Sequence, residues 1–179
     1  MADVSVRPAG PADVDDVARI QVDAWQYGYA AILPATVLEL VTVENARPAW
    51  AQAITAPPTA THRVLVAQEK ERVVGFTALA PAEDVQPDDP DPDTTIQIGP
   101  ILVEPRWSRR GHGSRLMAAA IEFARSDGMT RAVAWIPEAD TVSREFLVGA
   151  NWAPDGLVRA LDTGAGELRE IRLHVSLRD

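Results

Sequence analysis

Residues 103–116 read VEPRWSRRGHGSRL, a glycine-containing loop between an apolar strand and an apolar helix. Such a loop can turn several backbone N–H groups toward one anion, at the positive end of the helix dipole. Gly111 and Gly113 permit a close approach, because a side chain at either position would crowd a ligand. Within ten residues the segment carries four arginines: Arg106, Arg109, Arg110 and Arg115. It therefore favours a phosphate-bearing ligand, and the alternative is an ordinary strand-to-helix turn with solvated arginines.

Two familiar phosphate-binding loops do not fit this segment. A nucleotide-hydrolase loop ends in Gly-Lys-Ser or Gly-Lys-Thr, and residues 103–116 contain no lysine. A dinucleotide-binding fingerprint requires a third glycine where Leu116 stands. Any phosphate bound here is therefore held by a loop of another kind.

The strand that precedes this loop contains two residues that interrupt regular pairing. Residues 94–103 form an extended run, and Gly99 and Pro100 fall in its middle. Both residue types weaken the hydrogen-bond ladder of a strand interior. We therefore expect a bulge or a splay at this point.

The remaining elements follow from apolar periodicity and from the positions of proline and glycine. The pattern predicts further strands over residues 4–7, 63–67, 72–80, 131–136, 156–161 and 167–175, and helices over residues 11–30, 35–55, 113–127 and 141–150. Pro48 lies inside the second helix, so we expect a break near it. Residues 68–71 are typical of a hairpin connection, and residues 81–93, rich in proline and acid, of an exposed loop. This order predicts one α/β domain, residues 1–179, on a mixed sheet.

Composition excludes several classes of protein. The chain has 179 residues, no cysteine and a formal net charge of −9. It therefore has no disulfide framework, no thiolate metal site and no cysteine nucleophile. The negative charge argues against nucleic acid as a partner, and the lack of an apolar run of about 18 residues argues against a membrane span. The opening residues do not resemble a secretory signal, so we expect a cytoplasmic protein, and no metal site is predicted.

The chain resembles the GNAT superfamily of acetyl-CoA-dependent N-acetyltransferases over nearly its whole length. That family has a Val-x-Pro turn, a six-residue loop of the form Gln/Arg-x-x-Gly-x-Gly/Ala and then a helix. Here VEP at residues 103–105 and SRRGHG at residues 108–113 stand at those places. The opening VRPAGPADVDDVARIQVDAWQYGYAAILP, the strand RVVGFTALAP and the closing strand GELREIRLHV are also similar. The resemblance implies a GNAT-like mixed central sheet of about seven strands flanked by about four helices, with a splay at the fourth and fifth strands.

The resemblance also implies where acetyl-CoA, the cosubstrate, binds. The N–H groups of residues 109–114 would hold the pyrophosphate, and pantetheine would lie along the strand at residues 94–103. Main-chain N–H groups near Leu102 or Val103 would polarise the thioester carbonyl. The implied cofactor-binding residues are Ile101, Leu102, Val103, Arg109, Arg110, Gly111, His112, Gly113, Ser114, Asp140 and Phe146.

The familiar catalytic residues of the family have no match here. Many members carry a glutamate base in the fourth strand, where this chain has Gln97, whose amide cannot take a proton at neutral pH but can hold a water. The tyrosine that often protonates the leaving thiolate is replaced by Leu147. In the loop, Ser108 and His112 replace the usual Gln or Arg and the usual small or aliphatic residue. We therefore assign no base or acid and keep Gln97 as a weak candidate that holds a water.

The candidate residues for binding the acceptor are aromatic. Trp25, Tyr27 and Tyr29 lie near the end of the first predicted helix, which borders the acceptor cleft in the family. Trp135 lies on the strand that splays away from the cofactor strand. Packing in the core is the alternative for all four residues. The acidic loop, residues 83–93, would either attract a cationic amine or be solvated, and its prolines do not match a regular calcium-binding loop. Its acids are Glu83, Asp84, Asp88, Asp89, Asp91 and Asp93.

These features predict a single-domain N-acetyltransferase. A primary amine of a small molecule, an amino acid or a peptide would attack the thioester directly in a ternary complex. Two alternatives stay open: a catalytically weak coenzyme-A-binding sensor, and an interaction domain with a closed groove on the same fold. No nucleic-acid or membrane partner is expected, and a homodimer is an open alternative because the family often forms dimers.

Overall fold

A mixed central sheet organises residues 4–178, which the computed structural model describes. Its strands are β1 (Val4–Pro8), β2 (Arg63–Glu69), β3 (Arg72–Pro81), β4 (Thr95–Ile98), β5 (Leu102–Val103), β6 (Arg131–Pro137), β7 (Ala153–Asp162) and β8 (Glu167–Ser176). The helices are α1 (Val14–Gly28), α2 (Ala35–Leu38), α3 (Val43–Thr55), α4 (His112–Ser126) and α5 (Thr141–Gly149). The predicted α/β class is confirmed, with one more strand and one more helix in this part of the chain than expected. None of these helices is long and apolar enough to cross a bilayer.

The sheet opens between β4 and β6. The strand order is β1-β2-β3-β4-β6-β8-β7, and the short β5 pairs with β3. β4 and β6 are parallel and pair at only three positions, from Thr95 with Arg131 to Gln97 with Val133. β6 then continues to Pro137 beside β8, whereas β4 ends at Ile98. This is the splay that the sequence predicts.

The Gly99-Pro100 pair divides the expected strand into β4 and β5. The Gly99 N–H donates to the Ala78 carbonyl at 2.8 Å, and the Thr77 hydroxyl donates to the Gly99 carbonyl at 3.1 Å. Both contacts fix the break against β3. Pro100 carries no N–H for a ladder. Residues 99–101 therefore leave the sheet at the point where it opens.

Apolar layers cover both faces of the sheet. Alternate side chains of β2 point to opposite faces, as strand geometry requires. Leu65 and Ala67 join the layer that contains the apolar face of α4, and Val64 and Val66 join the layer beneath α1 and α3. The residues at the centre of both layers are almost fully buried. This packing holds α4 beside β2 and β3, close to the opening of the sheet.

The helix break and the hairpin turn lie at other residues than the sequence-based prediction places them. The break between α2 and α3 precedes Thr42, and α3 continues through Pro48. Thr42 starts the helix by accepting the Asn45 N–H at 3.2 Å, while a proline at the position of Pro48 removes only one intrahelical bond. β2 also runs on to Glu69, so the hairpin turn is shorter than residues 68–71.

The close approach of β5 to β3 depends on Gly75. A Cβ atom at this position would lie 2.8 Å from the Leu102 carbonyl oxygen and 3.0 Å from Cγ2 of Val103. Gly75→Ala should therefore push β5 away and lower the free energy of unfolding by about 1–3 kcal/mol, measured by chemical denaturation. Gly28→Ala is the matched control, because a Cβ there meets nothing within 4 Å. Equal stability of the two variants would contradict this packing.

Candidate active site

A cleft of about 590 Å³ lies where β4 and β6 separate. The break after β4, the start of α4, the open edge of β6 and the side of α5 form its walls. The lining includes Tyr29, Ile98, Gly99, Pro100, Ile101, Val103, Trp107, Ser108, Arg109, Gly111, His112, Gly113, Ser114, Met117, Ala134, Trp135, Ile136, Val142, Ser143, Glu145, Phe146 and Leu147. Residues 108–114 contribute one part of the lining, here called the backbone end, and the aromatic side chains of Tyr29 and Trp135 contribute another, here called the aromatic end.

Residues 108–114, here called the glycine loop, form the backbone end. Gly111 caps α4 with a left-handed conformation at φ 81°, and Arg109 is left-handed at φ 64°. The first N–H groups of a helix have no acceptor within that helix. A Cβ atom at Gly113 would lie 3.7 Å from both Ile101 and Phe146, so the helix begins between the strand break and α5. This arrangement presents free N–H groups and the helix dipole to the cleft, which suits an anion.

The four arginines of the segment do not all face the cleft. Arg109 lines it. Arg106 instead donates to Glu104 at 2.6 Å, and Arg110 donates to Glu69 at 3.3 Å. Arg115 donates to the Arg110 carbonyl at 3.0 Å. Arg106 and Arg110 thus have acidic partners within the protein, and the side chain of Arg109 belongs to the cleft lining.

Most of the other predicted cofactor residues meet in the cleft. The residues that line it are Ile101, Val103, Gly111, His112, Gly113, Ser114 and Phe146. Leu102 instead packs its side chain in the layer beneath α1 and α3. Asp140 caps α5, because its carboxylate accepts the Ser143 N–H at 3.0 Å and the Ser143 hydroxyl at 2.6 Å. The side chains of Leu102 and Asp140 thus have structural roles.

The four aromatic acceptor candidates divide into two pairs. Tyr29 and Trp135 line the cleft. Trp25 lies behind Tyr29 in an edge-to-face contact, with ring centroids 5.7 Å apart. Tyr27 is 78% exposed and borders a separate shallow depression beside Glu104. Residues two apart on a helix face in nearly opposite directions, which explains why Tyr27 and Tyr29 separate.

Tyr29 holds its phenolic proton strongly. Burial raises the pKa of the Tyr29 hydroxyl far above its usual range, and the negative charge of Asp140 raises the pKa further. The hydroxyl is therefore protonated at neutral pH and acts as a hydrogen-bond donor. This places a donor at the aromatic end of the cleft.

Gln97 and Leu147 stand where the family often has its base and its acid, and of these two only Leu147 belongs to the cleft lining. Gln97 is half-buried in β4, between Ala80 of β3 and Val133 of β6, and it does not belong to the cleft lining. Alternation along β4 places its side chain on the face opposite that of Ile98, which does line the cleft. Leu147 is buried and lines the cleft with an apolar side chain. Neither residue can transfer a proton.

The acidic loop docks on the sheet instead of standing free in solvent. It forms ion pairs with arginines of the sheet and the chain end: Asp84 with Arg159 at 2.5 Å, Asp89 with Arg172 at 2.5 Å and with Arg131 at 3.5 Å, and Asp91 with Arg178 at 2.5 Å. The guanidinium carbon of Arg159 lies 4.4 Å from the centre of the Trp135 ring, and that of Arg172 lies 5.9 Å away. The loop therefore supports the wall of the cleft from behind. No group of three or more potential metal ligands occurs among the described residues.

Several cleft residues were not identified from the sequence. They are Ile98, Trp107, Met117, Ala134, Ile136, Val142, Ser143 and Glu145. Alternation along β6 indicates that Ala134 and Ile136 share one face, which is a signal that the sequence contains. The positions of Ser143 and Glu145 depend on how α5 packs, and no local pattern gives that.

Comparisons with known proteins place this geometry in one family. The model of the acetyltransferase (GNAT) family matches residues 23–149. YuaI of Bacillus subtilis strain 168, named as an uncharacterized N-acetyltransferase, is 29% identical over 136 residues, which are 75% of this chain and 72% of the relative. The structure of yncA from Salmonella typhimurium with its cofactor acetyl-CoA is 20% identical, with a TM-score of 0.72, over 98% of this chain and 95% of that one. The paia N-acetyltransferase of Thermoplasma acidophilum in complex with coenzyme A is 12% identical, with a TM-score of 0.71, over 97% and 99% of the two chains.

The class that the fold and the cleft define is therefore that of the acyl-transferring enzymes. This chain belongs to the acetyltransferase (GNAT) family, since the family model matches more than half of its length.

The docking of the acidic loop makes stability depend on pH. The Arg172 guanidinium lowers the pKa of Asp89 to about 2, below its usual range. A lowered pKa in the folded state stabilises the protein above the unfolded value of about 4, and this contribution is lost as the pH falls toward 2. Asp89→Asn should lower the free energy of unfolding by about 2 kcal/mol at pH 7, and the difference from wild type should shrink between pH 4 and pH 2.

Urea denaturation across this pH range measures the effect. Asp88→Asn is the matched control, because Asp88 is exposed in the same loop and should leave stability within about 0.5 kcal/mol of wild type. A difference between Asp89→Asn and wild type that stays constant with pH would contradict the ion-pair explanation.

Proposed function

We propose that this chain transfers an acetyl group from acetyl-CoA to a primary amine of a small molecule, an amino acid or a peptide. The observation that carries the proposal is the glycine loop, where Gly111 starts α4 in a left-handed conformation and Arg109 stands beside it at one end of the cleft. The N–H groups of residues 109–114 and the Arg109 guanidinium would hold the pyrophosphate of acetyl-CoA.

The break between β4 and β5 suits the pantetheine arm. Pro100 and Ile101 lie between β4 and β5, outside the sheet, so the Pro100 carbonyl and the backbone groups of Ile101 are available to pair with the amides of the arm. Val103 and Phe146 supply apolar surface on either side. β5 pairs with β3 along one edge, which leaves the other edge of Leu102 and Val103 for the thioester carbonyl. A main-chain N–H there would stabilise the negative charge that develops on this oxygen.

Direct transfer accounts for the chemistry with few side chains. A neutral amine held near Tyr29 and Trp135 attacks the thioester carbon, which forms the amide C–N bond and breaks the C–S bond. The amine proton leaves to water, and the thiolate takes a proton from water. A cysteine-linked acetyl intermediate is not available to a chain without cysteine.

Two structures similar to this chain support acetyl-CoA as its cosubstrate. The yncA structure contains acetyl-CoA, and the Thermoplasma acidophilum enzyme is in complex with coenzyme A, while both share the fold of this chain over nearly its full length. We infer that the same class of cosubstrate binds here, with the acceptor at the aromatic end.

A coenzyme-A-binding sensor is the second candidate. Leu147 and Gln97 favour it, because neither can act as the acid or the base at its position. Release of free thiol from acetyl-CoA in the presence of a panel of small amines, amino acids and peptides separates the two functions. Amine-dependent thiol release supports the transferase, and tight acetyl-CoA binding with no release for any amine supports the sensor. No acetyl-CoA binding would contradict both.

The pyrophosphate site gives a direct prediction for Arg109. Arg109→Glu reverses the charge at the cleft and should weaken acetyl-CoA binding at least about tenfold in calorimetry, or about 1.4 kcal/mol. Acetyl-pantetheine has no phosphate, so its binding should change little. Arg47→Glu, on the exposed surface of α3, makes the same charge change and should leave both affinities unaltered. If Arg47→Glu weakened acetyl-CoA binding as much as Arg109→Glu, the placement of the phosphate would be wrong.

A further inference from the structure

The carboxylate of Glu69, the last residue of β2, contacts two residues of the glycine loop. One of its oxygens, Oε2, lies 2.9 Å from Nε2 of His112, and the other, Oε1, lies 3.3 Å from Nη1 of Arg110. An ionised carboxylate oxygen can only accept a hydrogen bond, so Nε2 of His112 carries the proton at this contact. The Nε2–H therefore donates to Glu69. Glu69 does not belong to the cleft lining. It therefore acts on the loop and not on a ligand in the cleft.

The contacts of Glu69 belong to a closed cluster. The His112 side chain is 1% exposed and meets the Trp107 ring edge-on, with centroids 6.4 Å apart. The guanidinium carbon of Arg110 lies over the same Trp107 ring, 4.8 Å from the ring centroid. Glu69 then joins Arg110 to His112 from the strand side. The two loop residues are thus held by an ion pair, a hydrogen bond and an aromatic ring, all supplied by neighbouring segments.

The position of these two residues decides what the cluster does. Arg110 immediately precedes the cap residue Gly111, and His112 immediately follows it as the first residue of α4. Fixing both side chains fixes the backbone between them, including the N–H groups that open on the cleft. A loop that is already ordered loses less conformational entropy when it binds a ligand.

We propose that Glu69 is a positioning residue that pre-organises the glycine loop for the pyrophosphate of acetyl-CoA. The inference rests on the proposed function, because it concerns the same site. It assigns to His112 and Arg110 a role through their side chains that is separate from the N–H groups of their backbone.

Simple electrostatics and positioning predict opposite effects of removing this carboxylate. A negative charge near a phosphate site repels the ligand, so its loss alone would strengthen binding of acetyl-CoA. Its loss also frees the Arg110 guanidinium, which acts in the same direction. If Glu69 positions the loop, its loss weakens binding instead. The sign of the change therefore decides between the two.

Glu69→Gln tests this with steady-state kinetics, using the amine found by the thiol-release panel. The KM for acetyl-CoA should rise about tenfold while kcat stays within about twofold, because the loop binds the phosphates and not the reacting atoms. The KM for acetyl-pantetheine, which has no pyrophosphate, should not change. Glu71→Gln removes the same charge at an exposed position two residues further on and should match wild type with both donors.

A double-mutant cycle checks the bridge itself and remains informative if one variant is poorly stable. His112→Leu should raise the KM for acetyl-CoA as Glu69→Gln does, and the double variant should be no worse than either single variant. Thermal unfolding of each variant verifies that it is folded.

Three results would overturn the inference. They are an unchanged or lower KM for acetyl-CoA in Glu69→Gln, an equal rise in KM for both donors, and additive effects in the cycle. A wild-type chain that does not bind acetyl-CoA would refute the proposed function and this inference together, whereas normal kinetics of Glu69→Gln would refute the inference alone.

Discussion

β4 and β6 run parallel and pair at three positions, after which the two strands part. Gly99 and Pro100 end β4 at this point, and the contacts of Gly99 with Ala78 and Thr77 hold the end against β3. The cleft exists because β6 continues alone. The same break takes Pro100 and Ile101 out of the sheet, and the start of α4 lies beside the opening. The backbone end of the site is therefore a consequence of strand pairing that stops early.

Charge is arranged around this opening by internal partners. Three of the six acidic residues of the acidic loop, Asp84, Asp89 and Asp91, each pair with an arginine of the β7–β8 side of the protein. On the other side, Glu104 and Glu69 engage two of the four arginines near the glycine loop. The positive groups directed at the cleft are the N-terminal end of α4 and the side chain of Arg109. A net charge of −9 thus coexists with a local site for an anion.

Local patterns in the sequence were sufficient to predict much of the fold. Apolar periodicity predicts a helix over residues 113–127, and α4 spans His112–Ser126, followed by Gly128 in a left-handed conformation at φ 77°. The break at Gly99 was also predictable, because glycine and proline have local effects on a strand. Pro48 misled the prediction, because α3 continues through it and the break instead precedes the N-cap residue Thr42.

The side-chain partners within the site were not predictable in the same way. Arg110 looks like a phosphate ligand in the sequence, yet its acidic partner, Glu69, lies 41 residues earlier in the chain. Asp89 and Arg172 are 83 residues apart, and only the assembled sheet brings them together. Such pairs depend on the register of distant strands, which no local pattern encodes. The resemblance to a family located the loop correctly but could not say which of its arginines face the cleft.

The proposed pyrophosphate site can be tested through the amide resonances of the isotope-labelled chain during a titration with acetyl-CoA. If the backbone of residues 109–114 binds the pyrophosphate, their amide protons should move downfield and saturate together, because an N–H that donates to a charged oxygen is deshielded. Acetyl-pantetheine should shift residues near the β4–β5 break and leave residues 109–114 in place. Saturable binding of acetyl-CoA that leaves the amides of residues 109–114 unchanged would contradict a pyrophosphate site at the start of α4.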